Sequence, residues 1–158
     1  MAQIKIKNKR FIYGNSIKWE KEKRGLLSSA GKPYIEVATP PEFKGHVGIW
    51  SPEDLFVASV NSCIMTTFLY YAQKENLEIL SYETQAEGVL ERIEDQFIFT
   101  EIRLKPSVLV KKDSDVLKVN NLFSFLKKKC LISNSIKSKI EVIPEIKAEV
   151  EKGESLND

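Results

Sequence analysis

The segment from Ser51 to about Glu78 constrains this chain more than any other. It reads as a single helix whose first half is apolar or small nearly all round. A helix of that kind is central and buried, so the rest of the chain has to supply its cover. Its start is set by local chemistry: Ser51 suits an N-cap, Pro52 the first helical position, and Asp54 stands three residues after the cap. Glu53 and Asp54 favour the positive end of the helix dipole. Leu55, Phe56, Val60, Ile64, Phe68 and Tyr71 form its apolar stripe, and polar residues gather only from Gln73 onward.

The flanking segments alternate with the period of strands. Ile4 and Ile6 alternate with lysines, Ile17 and Trp19 with lysines and a glutamate, and Tyr34 to Ala38 follows the turn signal Gly31-Lys32-Pro33. Prolines and a glycine interrupt residues 39 to 45, which predicts a loop running to about Trp50. Residues 81 to 105 read as a hairpin that turns near Glu94-Asp95. A second helix is expected from about Asp113 to Lys129, with an acidic start and a basic end. Its apolar positions Val116, Val119, Phe123 and Leu126 step onward to Cys130. Ile140, Val142, Ile146, Ala148 and Val150 alternate as one last strand, and the tail from Gly153 to Asp158 should fray. The order of elements predicts an α+β fold, an antiparallel sheet covered by two helices. A length of 158 residues fits one domain spanning the whole chain.

Composition removes several function classes. The net charge is +2, from 24 basic and 22 acidic residues, which gives no pull toward nucleic acid. No apolar run is expected to reach the roughly 20 residues of a membrane span, and the first residues carry no signal core, so the expectation is a cytoplasmic chain. No ligand cluster points to a metal, and no glycine motif to a nucleotide cofactor. The lone His46 lies in a loop and reads as solvated; Trp19 and Trp50 read as packing residues.

Chemistry concentrates in two cysteines, Cys63 and Cys130, which lie 67 residues apart. Taken singly, each reads as a core residue, because free cysteine is among the most buried side chains. As a pair they mean more: both fall on the apolar faces of helices that must share a core, and in the cytoplasm a thiol pair is more often catalytic or redox-sensing than a structural disulfide. Position alone does not rank them. Cys63 is mid-helix with no basic residue within ten positions. Cys130 sits at a helix C-terminus, where the dipole opposes a thiolate while Lys127, Lys128 and Lys129 favour one.

Residues 51 to 63, Ser-Pro-Glu-Asp-Leu-Phe-Val-Ala-Ser-Val-Asn-Ser-Cys, resemble the start of the central helix of the OsmC/Ohr family, the osmotically inducible and organic hydroperoxide resistance proteins. Glu53 and Cys63 keep the family's interval of ten residues, and Cys-Leu-Ile-Ser-Asn-Ser, residues 130 to 135, resembles its second-cysteine segment. The element order matches over nearly the whole chain. The resemblance implies an OsmC-like intertwined homodimer whose N-terminal strands, about residues 1 to 45, contribute to the dimer. It implies a thiol peroxidase that needs no cofactor, with Cys63 peroxidatic, Cys130 resolving, and Glu53 positioning an arginine matched here by Arg24. It also implies a thiol or dithiol reductant, a lipoyl protein among the candidates. Two departures bear on substrate and reductant rather than on the thiols: Leu131 stands where a proline often follows the second cysteine, and the arginine segment reads Lys21-Glu22-Lys23-Arg24 rather than glycine-rich.

Ten residues of helix set Glu53 roughly 15 Å from Cys63 along the axis and about 80° away in azimuth. The carboxylate cannot touch its own chain's thiol, so a long arginine must bridge them or a second subunit must supply one of them; an obligate dimer follows as an expectation. Phe56, Ile64, Met65 and Phe68 are apolar candidates for contact with an organic hydroperoxide, although each also suits ordinary core. Two alternatives stay open: a non-enzymatic member of the same fold that binds an apolar ligand, and a redox sensor that signals through the disulfide.

Overall fold

The computed structural model describes residues 9–150. The strand expected at Ile4 and Ile6 and the tail from Gly153 to Asp158 lie outside the described residues. The chain falls into two compact units, Met1–Asp54 and Leu55–Asp158.

The first unit is a three-stranded antiparallel sheet of β1 (Ser16–Lys21), β2 (Arg24–Ser28) and β3 (Ile35–Ala38) in that order. Its register puts Ile17, Leu27 and Ile35 in one row and Trp19, Gly25 and Val37 in the next, so one face is apolar. Ile17 and Trp19 on that face are exposed, contrary to the expectation that Trp19 packs. Trp50 is also exposed, the residue 53% accessible, although its backbone carbonyl accepts from the Ala38 N–H. β2 was not anticipated as a strand; Arg24 is its first residue, after the turn at Glu22-Lys23. Most of residues 39 to 50 is loop, with one short 3-10 turn at Pro41–Phe43 that Lys44 closes in the left-handed region.

Helix α1 (Pro52–Lys74) begins where the local signals put it. Ser51 Oγ accepts from the Asp54 N–H at 3.0 Å, and Asp54 Oδ2 accepts from the Ser51 N–H at 2.9 Å, a reciprocal cap that satisfies two otherwise orphaned donors. At the other end Asn76 adopts a φ of 55°, and the Asn76 and Leu77 N–H groups return to the carbonyls of Gln73 and Ala72. This is a Schellman closure with asparagine in the usual glycine position. By length and composition α1 could cross a bilayer, against the expectation that no run would qualify. One stripe of it, Val60, Ile64, Phe68 and Ala72, is buried in the protein core at i, i+4 spacing. The first half was expected to be buried nearly all round; among residues 52–63 only Val60 is fully buried, and Ser62 is exposed.

The cover comes from a long hairpin, β4 (Ile79–Ile93) and β5 (Gln96–Val110), turning at Glu94-Asp95 as the alternation predicts. Gly88 on β4 has a packing reason. A Cβ there would stand 2.5 Å from Val57 Cγ2 of α1 and 2.8 Å from Phe99 Cε1. Helix α2 (Val116–Lys129) follows a 3-10 turn over Asp113–Asp115 and buries Val119, Leu122, Phe123 and Leu126. The final strand divides in two, β6 (Lys139–Val142) and β7 (Glu145–Ala148), with Ile143-Pro144 between them. Both pair with β5 in parallel, so the second sheet is mixed and not wholly antiparallel. The reason is topological: α2 carries the chain back along the sheet before β6 begins, and such a crossover yields a parallel neighbour.

Candidate active site

The core of the second unit brings the two cysteines together. Cys130 belongs to the buried cluster with Ile64, Phe68, Leu126 and Ile140, and Cys63 packs against that cluster from α1. Both thiols are free. Their surroundings differ. Cys63 is half-buried, with its Sγ 4.0 Å from Thr67 Oγ1 one turn on. Cys130 is fully buried as the C-cap of α2, where its N–H bonds Leu126 O at 2.9 Å.

Burial is the first cause acting on the Cys130 thiol, and it raises the pKa. The adjacent Cys63 thiol pushes in the same direction. Ser133 works against both: its N–H donates to Cys130 Sγ at 3.4 Å, and its hydroxyl also lowers the thiol pKa. The net effect keeps Cys130 protonated. Environment therefore ranks the thiols where position did not. Cys130 is the one disfavoured as an initial nucleophile, and Cys63 is the one with access to solvent.

Arg24 and Glu53 belong to the first unit. The Arg24 guanidinium donates to Glu36 on the neighbouring strand β3, and this ion pair raises the arginine pKa further above its ordinary value. Glu36 was not singled out in the sequence. The only signal for it is strand register, which places residues 24 and 36 diagonally on one face. Among the described residues, neither buried Glu53 Oε2 nor buried Arg24 Nε has a hydrogen-bond partner. Within this chain the carboxylate that Arg24 meets is Glu36.

The apolar candidates separate. Ile64 and Phe68 are wholly enclosed, Phe68 stacked between Phe123 at 4.8 Å and Tyr82 at 5.4 Å, so neither has surface left for a substrate. Phe56 is half-buried and stacks on Phe99 at 4.8 Å. Met65 is half-buried on α1. His46 is tied into its loop, Nε2 standing 3.4 Å from Glu22 Oε2 and its N–H bonding Thr39 O.

Residues 45–145, a span holding Glu53 and both cysteines, match the family model described as OsmC-like protein. The chain belongs to the OsmC-like family. Arg24 lies outside the matched span. Among curated proteins, the OsmC-like chain is 23% identical over 121 residues to the uncharacterized protein YmaD of Bacillus subtilis (strain 168), covering 75% of this chain and 80% of that one. An OsmC-like protein of unknown function from Vibrio cholerae has the same fold, with a TM-score of 0.76 at 22% identity over 87% of this chain and all of the other. So does an organic hydroperoxide resistance protein from Elizabethkingia anophelis, with a TM-score of 0.67 at 19% identity over 89% of this chain and all of the other.

Proposed function

We propose that this OsmC-like protein is a thiol peroxidase that reduces organic hydroperoxides and, with them, hydrogen peroxide, in defence against oxidative stress. The observation that carries the reading is the convergence of Cys63 and Cys130 in one core, one thiol reachable from solvent and the other buried and held protonated. In the cycle, the Cys63 thiolate attacks the distal peroxide oxygen. The O–O bond breaks, the alkoxide leaves as alcohol after taking a proton, and Cys63 becomes a sulfenic acid. Cys130 then attacks the sulfenic sulfur; an S–S bond forms and the hydroxyl departs as water. An external thiol or dithiol returns both cysteines to the reduced state by exchange.

Activation of Cys63 is assigned to Arg24, with Glu53 as its positioning carboxylate, in a homodimer. Two observations support this part. Arg24 Nε and Glu53 Oε2 are buried polar atoms without partners, and such atoms are costly unless something completes them. The apolar face bearing Ile17 and Trp19 is exposed on the single chain and suits cover by a second copy.

The test is consumption of an alkyl hydroperoxide by three proteins. Wild type should turn over with a dithiol. Cys63→Ser should be inactive, and Cys130→Ser should complete one turnover and then stall with reductants that need the disulfide. Undiminished consumption by Cys63→Ser removes the assignment.

A further inference from the structure

The segment after α2 does more than end a helix. Cys130 is the C-cap of α2 with extended backbone angles, and the chain then folds straight into a tight 3-10 turn at Ser133–Ser135. That turn is closed several times over. The Asn134 N–H bonds Cys130 O at 3.1 Å, the Ser135 N–H bonds Ile132 O at 2.9 Å, and Ser135 Oγ donates to Leu131 O at 2.8 Å. Asn134 Nδ2 reaches back to Lys128 O at 3.0 Å and ties the turn to the helix. The consequence is a fixed Ser133 whose N–H points at the Cys130 sulfur, 3.4 Å away, so the thiol caps the turn as a serine oxygen caps a helix.

The Ser133 side chain adds a second observation. Its hydroxyl is buried and has no hydrogen-bond partner among the described residues. A buried hydroxyl left idle is costly, which calls for a use. The bond from the Ser133 N–H to the Cys130 sulfur sets this side chain beside the same atom.

We infer that Ser133 is a positioning residue for disulfide formation, its N–H holding the Cys130 sulfur and its unengaged hydroxyl donating to the thiolate that forms when Cys130 attacks oxidised Cys63. This rests on the peroxidase reading. In that step Cys130 loses its proton, the S–S bond forms, the S–O bond of the sulfenic acid breaks, and the leaving hydroxide collects the proton as water. The oxidising equivalents come from the hydroperoxide. The groups acting on the Cys130 sulfur are Cys63 across the core and Ser133 beside it, while Lys127, Lys128 and Lys129 on its own helix are exposed. A donor lost from Ser133 therefore has no evident substitute.

The experiment uses the full chain with Ser133→Ala, Ser133→Thr and Asn134→Ala. After one equivalent of alkyl hydroperoxide, Ser133→Ala should form the Cys63 sulfenic acid at the wild-type rate, read with a dimedone probe. It should close the disulfide about five-fold more slowly, as expected for one lost hydrogen bond, with the pH profile of closure displaced to the alkaline side. Ser133→Thr should restore both. Asn134→Ala loosens the same turn but keeps the hydroxyl, so it should leave the pH profile in place. In a Cys63→Ser background, the ultraviolet absorbance of the Cys130 thiolate should titrate at higher pH with Ser133→Ala than without it. That titration needs no peroxidase activity, so it still decides the role of Ser133 if wild type gives no dimedone adduct and the peroxidase reading fails. An unmoved titration, an unchanged closure profile in Ser133→Ala, or an equal displacement in Asn134→Ala overturns the inference.

Discussion

Cys130 carries the clearest energetic signature of any single residue. Its thiol is raised above its ordinary 9.0 by burial first and by Cys63 next. In the folded chain it therefore keeps a proton that the unfolded chain gives up above about pH 9. The sign follows: where the unfolded state binds fewer protons, stability falls as pH rises. The loss begins near the ordinary thiol value and ends once pH passes the raised one. Its slope for one proton is at most about 1.4 kcal/mol per pH unit. Denaturant midpoints of the reduced protein should fall from pH 8 to pH 10, and Cys130→Ala should flatten that fall while lowering stability at neutral pH. A wild-type and variant pair with parallel curves would remove burial of the Cys130 thiol as the cause. Reactivity follows from the same burial. A thiol that stays protonated is a poor first nucleophile, yet it is well placed to wait for an oxidised neighbour.

At the scale of elements, α1 depends on its two ends and on one close approach. The Ser51–Asp54 cap fixes where the helix begins, and so where Glu53 and Cys63 fall along it. Ser51→Ala should cost about 1 kcal/mol in chemical denaturation, the usual value for a lost N-cap, whereas Ser51→Asp should recover most of it. No loss in Ser51→Ala would mean that tertiary packing alone sets the start of the helix. The contact of α1 with β4 at Gly88 leaves no room for a side chain, since Val57 and Phe99 occupy the space. This contact and the Phe56–Phe99 stack seat the helix on the hairpin next to the half-buried Cys63 turn. Much of this was legible in advance. The Ser51 cap, the hairpin turn at Glu94-Asp95 and the α2 stripe ending on Cys130 all depend on neighbours within a few residues, whereas the closure at Asn76 was not anticipated. Strand β2 was not, because Arg24-Gly25-Leu26-Leu27-Ser28 lacks clear alternation and pairing with β1 and β3 is what makes it a strand.

For the whole molecule, two compact units divide the proposed chemistry. The thiol pair is complete within Leu55–Asp158, and the arginine and glutamate assigned to activate it belong to Met1–Asp54. Among the described residues, buried Arg24 Nε and Glu53 Oε2 lack partners and one sheet face is apolar and exposed, which is what the proposed dimer rests on. Sedimentation equilibrium should give twice the chain mass of 18.1 kDa. Ile17→Glu with Trp19→Glu should shift the protein toward monomer and remove peroxidase turnover together. A monomeric wild type with full activity would sink the dimeric site.

The sequence by itself determined the start of α1, the end of α2, the hairpin, the α+β plan and the family interval from Glu53 to Cys63, while α1 stops at Lys74, short of the expected Glu78. Each of these is encoded by residues near one another in the chain, where periodicity and capping act. Only the tertiary structure decided which thiol is buried, that Arg24 meets Glu36, that Ile64 and Phe68 are core rather than contact surface, and that β6 and β7 run parallel to β5. The physical reason is common to all four. Burial, ion pairing and strand partnership depend on groups far apart in sequence, and no local period records which of them will meet.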